Sequence, residues 1–167
     1  GLSNFDGKSR YLVLGAAPEL SAGMMHDLAP DQRTPLGCLL HQPASNFATA
    51  LRDLQAALAD KQVVAFIGST TQEGATTTAL GVAICAAQQG RSVIVGDCDV
   101  RRRSLTRAMG ATPALGVADV ADAPERWREA LTQEPETGLD VIPAAQLSNP
   151  WRNLFHAQGF AALLREL

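Results

Sequence analysis

The sequence predicts an α/β fold with three layers, α/β/α, built on a mostly parallel sheet. Two apolar runs rich in β-branched residues, at 63–68 and 92–96, are separated by a helical segment. Continuous apolar runs of this length are typical of strands that are buried on both faces of a parallel sheet. Strands that alternate with helices indicate parallel strands joined by crossover helices.

The chain of 167 residues divides into an arm and one predicted domain. Residues 1–43 are punctuated by proline and glycine and form an N-terminal arm or connector, in which residues 11–15 are a candidate short strand. Residues 44–167 are predicted to be the α/β domain.

Four helices and a third strand complete the prediction. Ser45 is the expected N-cap of the first helix, which ends near residue 60 and carries one apolar face made by Phe47, Leu51, Leu54 and Leu58. The second helix covers residues 76–89 and stops at Gly90. A short helix at 124–132, a strand at 139–143 and a terminal helix at 159–167 follow.

Composition excludes several classes of protein. The net charge of −3 and the pI of about 5.6 argue against a chain that coats nucleic acid by bulk charge. The cysteines and histidines have no metal-ligand spacing, which favours reduced, partly buried thiols in a cytoplasmic protein. Those residues are Cys38, Cys85, Cys98, His26, His41 and His156. The apolar run at 79–87 is far shorter than the roughly 20 residues that a membrane helix needs.

The loop at 68–78, G-S-T-T-Q-E-G-A-T-T-T, resembles a phosphate-binding loop. A strand followed by a glycine-containing loop and a helix directs backbone N–H groups and the helix dipole at one point, which is an anion site. The strict pattern G-x-x-x-x-G-K-[ST] requires glycine and lysine where this chain has Ser69 and Ala75. A chance loop-to-helix turn therefore stays open as the alternative.

The missing lysine bears on the predicted chemistry. A loop lysine neutralises charge between the β- and γ-phosphates, and charge-assisted hydrogen bonds contribute roughly 1.5 to 3 kcal/mol each. Because this stabilisation grows in the transition state, its loss is expected to harm catalysis more than binding. Alanine at position 75 offers no replacement.

A second segment carries a family resemblance. Residues 93–105, V-I-V-G-D-C-D-V-R-R-R-S-L, resemble the V-L-L-I-D-x-D-x-R-x-P-x-L segment of bacterial tyrosine kinases, the cytoplasmic P-loop domains of capsular and exopolysaccharide export systems. The resemblance runs from about residue 34 to residue 167. It includes T-P-L-G at 34–37, the loop with Glu73, Gly74 and Thr77 retained, and N-P at 149–150 followed by the terminal helix.

The resemblance implies a P-loop NTPase-like fold and a set of site residues. ATP or ADP would lie against Glu73, Gly74, Ala75, Thr76 and Thr77, with Mg²⁺ held by Thr76 and Asp97. Asp97 and Asp99 would be the catalytic residues. Each aspartate has the alternative role of capping the next turn. The arginines at 101–103 have two open roles, contact with phosphate or a partner and a solvated turn surface.

Three departures from the family qualify this expectation. The E-x-x-R-x-x-R oligomerisation motif keeps only Arg52, with Thr49 and Gln55 in place of the flanking residues, which puts ring assembly in doubt. The chain stops before the Walker B strand, and Tyr11 is its only tyrosine, so there is no tyrosine-rich tail. A longer natural protein would account for the last two.

Three functions follow from this evidence. The favoured one is a degenerate, cytoplasmic regulator or scaffold of exopolysaccharide biosynthesis and export, with weak or absent nucleotide binding. Its expected partner is a membrane-anchored export or co-polymerase protein at the inner membrane face, reached through the arm and the helix around Arg52. Homo-oligomers are compatible with this function, and nucleic acid is not expected as a partner. The alternatives are an active ATP-dependent protein tyrosine autokinase of the same pathway and a chromosome-partitioning ATPase.

Overall fold

The computed structural model describes residues 2–5, 9–12, 25–68, 74–146, 154–156 and 158–167. The chain forms two compact units, Gly1–Ala86 and Ala87–Leu167. Each is described below on its own.

The first unit holds a hairpin and three helices. Strand β1 (Leu2–Phe5) pairs antiparallel with β2 (Ser9–Leu12), with Leu2 opposite Leu12. A 3₁₀ turn at Pro30–Gln32 precedes α1 (Pro35–His41), α2 (Asn46–Ala57) and α3 (Ala75–Gln88), of which α3 continues past the unit boundary. The strand predicted at 11–15 corresponds in part to β2, and residues 13–15 lie outside the described residues.

Helix α1 lies in a region that we predicted to be a connector. The Thr34 side chain accepts a hydrogen bond of 2.9 Å from the Gly37 N–H, and Pro35 occupies the first helical position. Both are standard features of a helix start. A Cβ on Gly37 would overlap the carbonyl oxygen of Gln32, so only glycine fits there. The T-P-L-G stretch is thus a capped helix start packed against the preceding turn.

Helix α2 confirms its prediction. The Ser45 hydroxyl accepts a hydrogen bond of 3.2 Å from the Ala48 N–H, as expected of an N-cap. Phe47 and Leu51 on its apolar face are buried, and a Cβ on Gly81 of α3 would approach the Leu51 side chain to 2.5 Å. The small residue at 81 therefore lets α2 and α3 approach closely.

The strand predicted at residues 63–68 is wrong. These residues form no strand in the structure, and three of the apolar side chains are exposed: Val63 by 57%, Val64 by 39% and Ile67 by 89%. A strand exists only where a neighbouring backbone supplies ladder hydrogen bonds. Apolar, β-branched composition shows that a segment would fit a sheet, but it carries no information about whether a partner strand lies beside it.

The second unit is built on a small mixed sheet. Its elements are β3 (Ile94–Gly96), α4 (Ser104–Ala108), α5 (Val117–Asp122), a 3₁₀ segment (Pro124–Ala130), β4 (Thr132–Gln133), β5 (Asp140–Ile142), a 3₁₀ turn (Leu154–His156) and α6 (Gln158–Glu166). The strand order is β3-β5-β4. The predicted parallel pairing of the second and third runs is confirmed, with Ile94 opposite Asp140, whereas β4 is antiparallel to β5.

Among the described residues this sheet has three strands, and one of its two pairings is antiparallel. The three-layer arrangement on a mostly parallel sheet therefore stays a prediction. The helices predicted at 124–132 and 159–167 are present, the first of them as a 3₁₀ segment because of its short, proline-initiated turn.

The core of the second unit lies where α5 and α6 meet behind β5. Its most buried side chains include Val120, Ile142 and Leu163. Gly159 of α6 faces the backbone of α5 so closely that a Cβ there would overlap the Ala121 carbonyl oxygen. This close approach holds α6 against α5.

Candidate functional site

The first turn of α3 carries the predicted anion site. Gly74 has a φ of 79°, in the left-handed region that favours glycine, and its carbonyl accepts the first helical hydrogen bond, 2.8 Å from the Thr78 N–H. The N–H groups at the first three helical positions, 75–77, consequently have no acceptor within the helix. These donors and the positive end of the helix dipole give the turn an affinity for anions.

A cleft of about 210 Å³ lies beside this turn. It is lined by Ala75 and Thr78 of α3 and by the segment that precedes the loop, Phe66, Ile67 and Gly68. Position 75, where the loop pattern has lysine, therefore borders the cleft. Thr78 was not among the predicted site residues, although its place one turn into the helix puts its side chain on the same face as position 75.

The structure describes only some of the other predicted loop residues. Thr76 and Thr77 are half-buried in the first turn of α3, next to Ala75. Glu73 lies outside the described residues, together with the remainder of the loop from residue 69. The nucleotide contacts of all five loop residues, and the Mg²⁺ contact of Thr76, stay predictions.

In the second unit, Asp97 is a buried carboxylate in a structural role. It directly follows β3, is 4% exposed, and its Oδ2 accepts hydrogen bonds from the Thr106 N–H at 2.9 Å and from the Thr106 hydroxyl at 2.7 Å. Thr106 is the third residue of α4, and the residue at the N-cap, Arg103, provides no side-chain cap. Asp97 therefore caps α4 from a distance of nine residues along the chain.

The same threonine links the carboxyl ends of the two parallel strands. Its Oγ1 accepts a hydrogen bond of 2.8 Å from the Ala144 N–H just after β5, while the Asp97 N–H donates to the Ile142 carbonyl at 2.9 Å. In α/β sheets this edge is where ligands bind. Thr106 was not predicted, because no local spacing rule connects it to Asp97. The sequence offers only a general signal for such a partner, namely that a buried carboxylate needs hydrogen-bond donors.

Asp99 caps the turn that follows, as the alternative role for this residue predicts. It is exposed, its Oδ1 accepts a hydrogen bond of 3.1 Å from the Arg102 N–H, and its carbonyl accepts from the Arg103 N–H at 2.7 Å. Asp97 and Asp99 thus lie on one loop, but each is engaged by protein donors. The catalytic roles of both and the Mg²⁺ role of Asp97 remain predictions.

Cys98, between the two aspartates, is a protonated thiol at neutral pH. Burial, with a further contribution from the negative charge of Asp97, raises its pKa to about 11. Because the thiolate is the reactive form, Cys98 is a poor nucleophile near pH 7. Across the described ranges, no group of three or more histidine, cysteine, aspartate or glutamate side chains is arranged to hold a metal ion.

Arg52, which matches the middle arginine of the E-x-x-R-x-x-R pattern, makes contacts inside its own unit. Its Nη2 donates hydrogen bonds to the Pro43 carbonyl at 2.6 Å and to the Thr49 hydroxyl at 3.1 Å. Two of the four residues on the apolar face of α2, Phe47 and Leu51, are buried within the chain, and Leu54 and Leu58 are half-buried. The Phe47 and Leu51 side chains therefore pack inside the chain and are not available to a partner.

Within the described parts of the chain, no helix is both long enough and apolar enough to cross a bilayer.

Two curated proteins resemble the chain in sequence, although no protein-family model matches it. The succinoglycan biosynthesis transport protein ExoP of Rhizobium meliloti (strain 1021) is 25% identical over 134 residues, which are 74% of this chain and 17% of ExoP. The tyrosine-protein kinase YwqD of Bacillus subtilis (strain 168) is 27% identical over 118 residues, 65% of this chain and 50% of YwqD. The chain thus spans half or less of each relative's length.

Solved structures resemble it in fold. The kinase domain of the Escherichia coli tyrosine kinase ETK superposes with a TM-score of 0.73 at 20% identity, over 92% of this chain and 64% of that one. The BceF tyrosine kinase domain gives 0.63 at 23% identity, over 83% and 60%. The chimerical protein CapA2B2 gives 0.62 at 18% identity, over 91% and 63%.

The sequence relatives and the structural neighbours both include bacterial tyrosine kinases. At low sequence identity, the chain resembles the bacterial tyrosine kinase and exopolysaccharide P-loop family, and the solved kinase domains show the same fold.

Proposed function

We propose that the chain is a degenerate P-loop domain that regulates or scaffolds exopolysaccharide biosynthesis and export, with phosphotransfer absent or very slow. It binds phosphate, sulfate or the phosphates of a nucleotide weakly, through backbone N–H groups at the start of α3. It operates in the cytoplasm, where a membrane-anchored export or co-polymerase protein holds it at the inner membrane face.

The observation that carries the proposal is alanine at position 75. This residue borders the cleft at the start of α3, and residues 68–78 contain neither lysine nor arginine. A phosphoryl group that moves between oxygens develops charge that needs a cation close by, and catalysis of this reaction is almost entirely positioning and electrostatic stabilisation. Backbone N–H groups suffice for anion binding, but they do not replace that cation.

Asp97 gives independent support for weak metal binding. Its Oδ2 receives two hydrogen bonds from Thr106, at 2.9 and 2.7 Å. A carboxylate that caps a helix in this way would have to give up or share those donors in order to hold Mg²⁺, which takes oxygen ligands in near-octahedral geometry. Mg²⁺ binding through this oxygen is therefore weakened by the same contacts that stabilise α4.

The pathway and the partner are inferred from the relatives. ExoP is named as a succinoglycan biosynthesis transport protein and YwqD as a tyrosine-protein kinase. A chain that keeps the fold without the catalytic lysine fits the regulatory side of such a system. With Phe47 and Leu51 buried, docking through the apolar face of α2 has no support. The arm before Ser45 remains the candidate contact.

The second candidate is an active tyrosine autokinase, in which a cation from elsewhere replaces the loop lysine. The similarity to YwqD and to the ETK and BceF kinase domains favours it. A partitioning ATPase has less support, because its signature lysine early in the loop has no counterpart at 69–71.

A phosphotransfer assay distinguishes the first two candidates. The unmodified chain is incubated with γ-labelled ATP, Mg²⁺ and a glutamate–tyrosine copolymer as acceptor, so that the assay does not depend on Tyr11. We expect no incorporation above a no-enzyme control, and Asp97→Asn to leave that background unchanged. Rapid incorporation that Asp97→Asn abolishes would establish the active kinase instead.

A further inference from the structure

The turn after β3 and the short helix α4 carry a dense group of arginines. Four of them lie within seven residues, at 101, 102, 103 and 107, and we call this group the arginine surface. Arg101, Arg102 and Arg107 are exposed and Arg103 is half-buried. The chain as a whole carries a net charge of −3, so this basic group is opposite in sign to the net charge of the chain.

None of these four guanidinium groups takes part in the ion pairs found among the described residues. The nearest acids along the chain are engaged elsewhere. Asp99 accepts from the backbone N–H of Arg102, and Asp97 accepts from Thr106. The two aspartates thus hold the backbone that displays the arginines and make no ion pair with them. Like charges on neighbouring residues repel one another, and none of the ion pairs found among the described residues offsets that repulsion.

The backbone under the arginine surface is constrained. Arg103 has a φ of 53° and a ψ of 48°, the left-handed conformation that a residue with a side chain rarely adopts. Asp99 closes the turn on one side of it, and Asp97 caps α4 on the other. Strained residues of this kind persist where the surroundings over-determine them, and they cluster at functional sites. The arginines are therefore presented on a pre-organised turn.

We propose that the arginine surface is a docking site for an acidic polypeptide segment, one that carries several glutamate or aspartate side chains close together. The planar guanidinium group donates two parallel hydrogen bonds to one carboxylate, a geometry that lysine does not offer, and every cation of this surface is an arginine. Binding would relieve the repulsion among the arginines and add bidentate contacts.

An acidic polypeptide is favoured over a nucleic acid or a lipid surface. An extended polyanion that reached past this turn would meet a chain of net charge −3. A lipid surface is held most firmly when basic residues are accompanied by apolar side chains that insert, and Leu105, in the middle of the segment, is buried. A short acidic segment is complementary to the charge of the arginine surface and does not extend beyond it.

The test is a fluorescence anisotropy titration with the full chain. The probe is a labelled decapeptide of alternating glutamate and serine, and a glutamine version of the same peptide controls for charge. The arginine-surface variant is Arg101→Gln/Arg102→Gln, which leaves every backbone hydrogen bond in place. The matched control is Arg91→Gln/Arg165→Gln, two exposed arginines elsewhere in the second unit, which removes the same net charge.

We expect the glutamate peptide to bind at low salt, the arginine-surface variant to bind it at least about tenfold more weakly, and the control variant to stay within about twofold. Equal losses of peptide affinity in the two variants would mean that binding depends only on the net charge of the chain, and this would overturn the proposal. The absence of binding would overturn it as well.

Phosphatidylserine vesicles form a separate arm of the test. Vesicle binding that depends on Arg101 and Arg102, without peptide binding, would replace the polypeptide with a membrane surface. No arm uses the loop at 68–78, so failure here leaves the proposed function standing.

Discussion

Asp97 and Thr106 are joined by two hydrogen bonds, one from the threonine N–H at 2.9 Å and one from its hydroxyl at 2.7 Å. The same hydroxyl accepts from the Ala144 N–H at 2.8 Å, so one side chain connects the loop after β3, the start of α4 and the end of β5. All of these polar atoms are buried, where an unpaired donor or acceptor is costly.

Replacing the hydroxyl should therefore destabilise the chain markedly. Thr106→Val keeps the shape of the side chain but leaves the Ala144 N–H without its acceptor and Asp97 with one donor fewer. We expect a loss of about 2 to 3 kcal/mol in the free energy of unfolding, measured by urea denaturation. Thr106→Ser keeps the hydroxyl and should cost less than about 1 kcal/mol. Equal stability of the valine and serine variants would show that the three contacts do not act as described.

The Cys98 thiol should make stability depend on pH in alkaline solution. Its pKa is about 11 in the folded chain, against 9.0 for an unperturbed thiol. Below the lower value the thiol is protonated in both states, and its contribution to stability is complete. Between the two values the unfolded chain loses the proton while the folded chain keeps it, so stability falls as pH rises.

Urea denaturation of the wild type and of Cys98→Ala from about pH 8 to about pH 11 checks this dependence. The wild type should lose more stability over that range than the variant, because the variant lacks this titration. The pKa of Cys85 is also raised by burial, and this thiol gives both proteins the same additional dependence of stability on pH. Parallel curves for the two proteins would contradict the assignment.

Gly159 should not tolerate even one additional methyl group. Alanine is the better helix former by about 1 kcal/mol, so propensity alone predicts that Gly159→Ala stabilises α6. The new Cβ would overlap the Ala121 carbonyl oxygen, however, and overpacking costs about 1 to 3 kcal/mol. We expect net destabilisation and a lower Tm. Ala161→Gly, an exposed position of the same helix, measures the propensity alone and should cost about 1 kcal/mol. A rise in Tm for Gly159→Ala would show that α5 and α6 are farther apart.

Helices with local signals were predictable from the sequence. Ser45 predicts the start of α2, because an N-cap is a contact between residues that are near neighbours in the sequence. The spacing of Phe47 and Leu51 follows from the helical repeat alone. Gly90, with a φ of 80°, ends α3 for the same kind of local reason. Thr34 and Pro35 carried an equally local signal for α1, which the surrounding prolines and glycines obscured.

Features that depend on distant parts of the chain were not predictable. Residues 63–68 have strand composition but no partner strand among the described residues, and Ile67 is 89% exposed. The pairing of Asp97 with Thr106 joins residues nine apart through a loop, where no periodicity applies. The sequence identified Asp97 and Asp99 as chemically interesting, and only the structure shows which donors each one accepts from.

Calorimetric titration of ATP into the chain, with and without Mg²⁺, tests the central claim, that alanine at position 75 leaves a loop with weak anion affinity. We expect weak binding that Mg²⁺ changes little. Ala75→Lys should tighten binding by more than the roughly tenfold that 1.4 kcal/mol represents, since a charge-assisted contact to phosphate is restored. Ala75→Gln, which adds length without charge, should not. Tight, Mg²⁺-dependent binding of ATP by the unmodified chain would contradict the account.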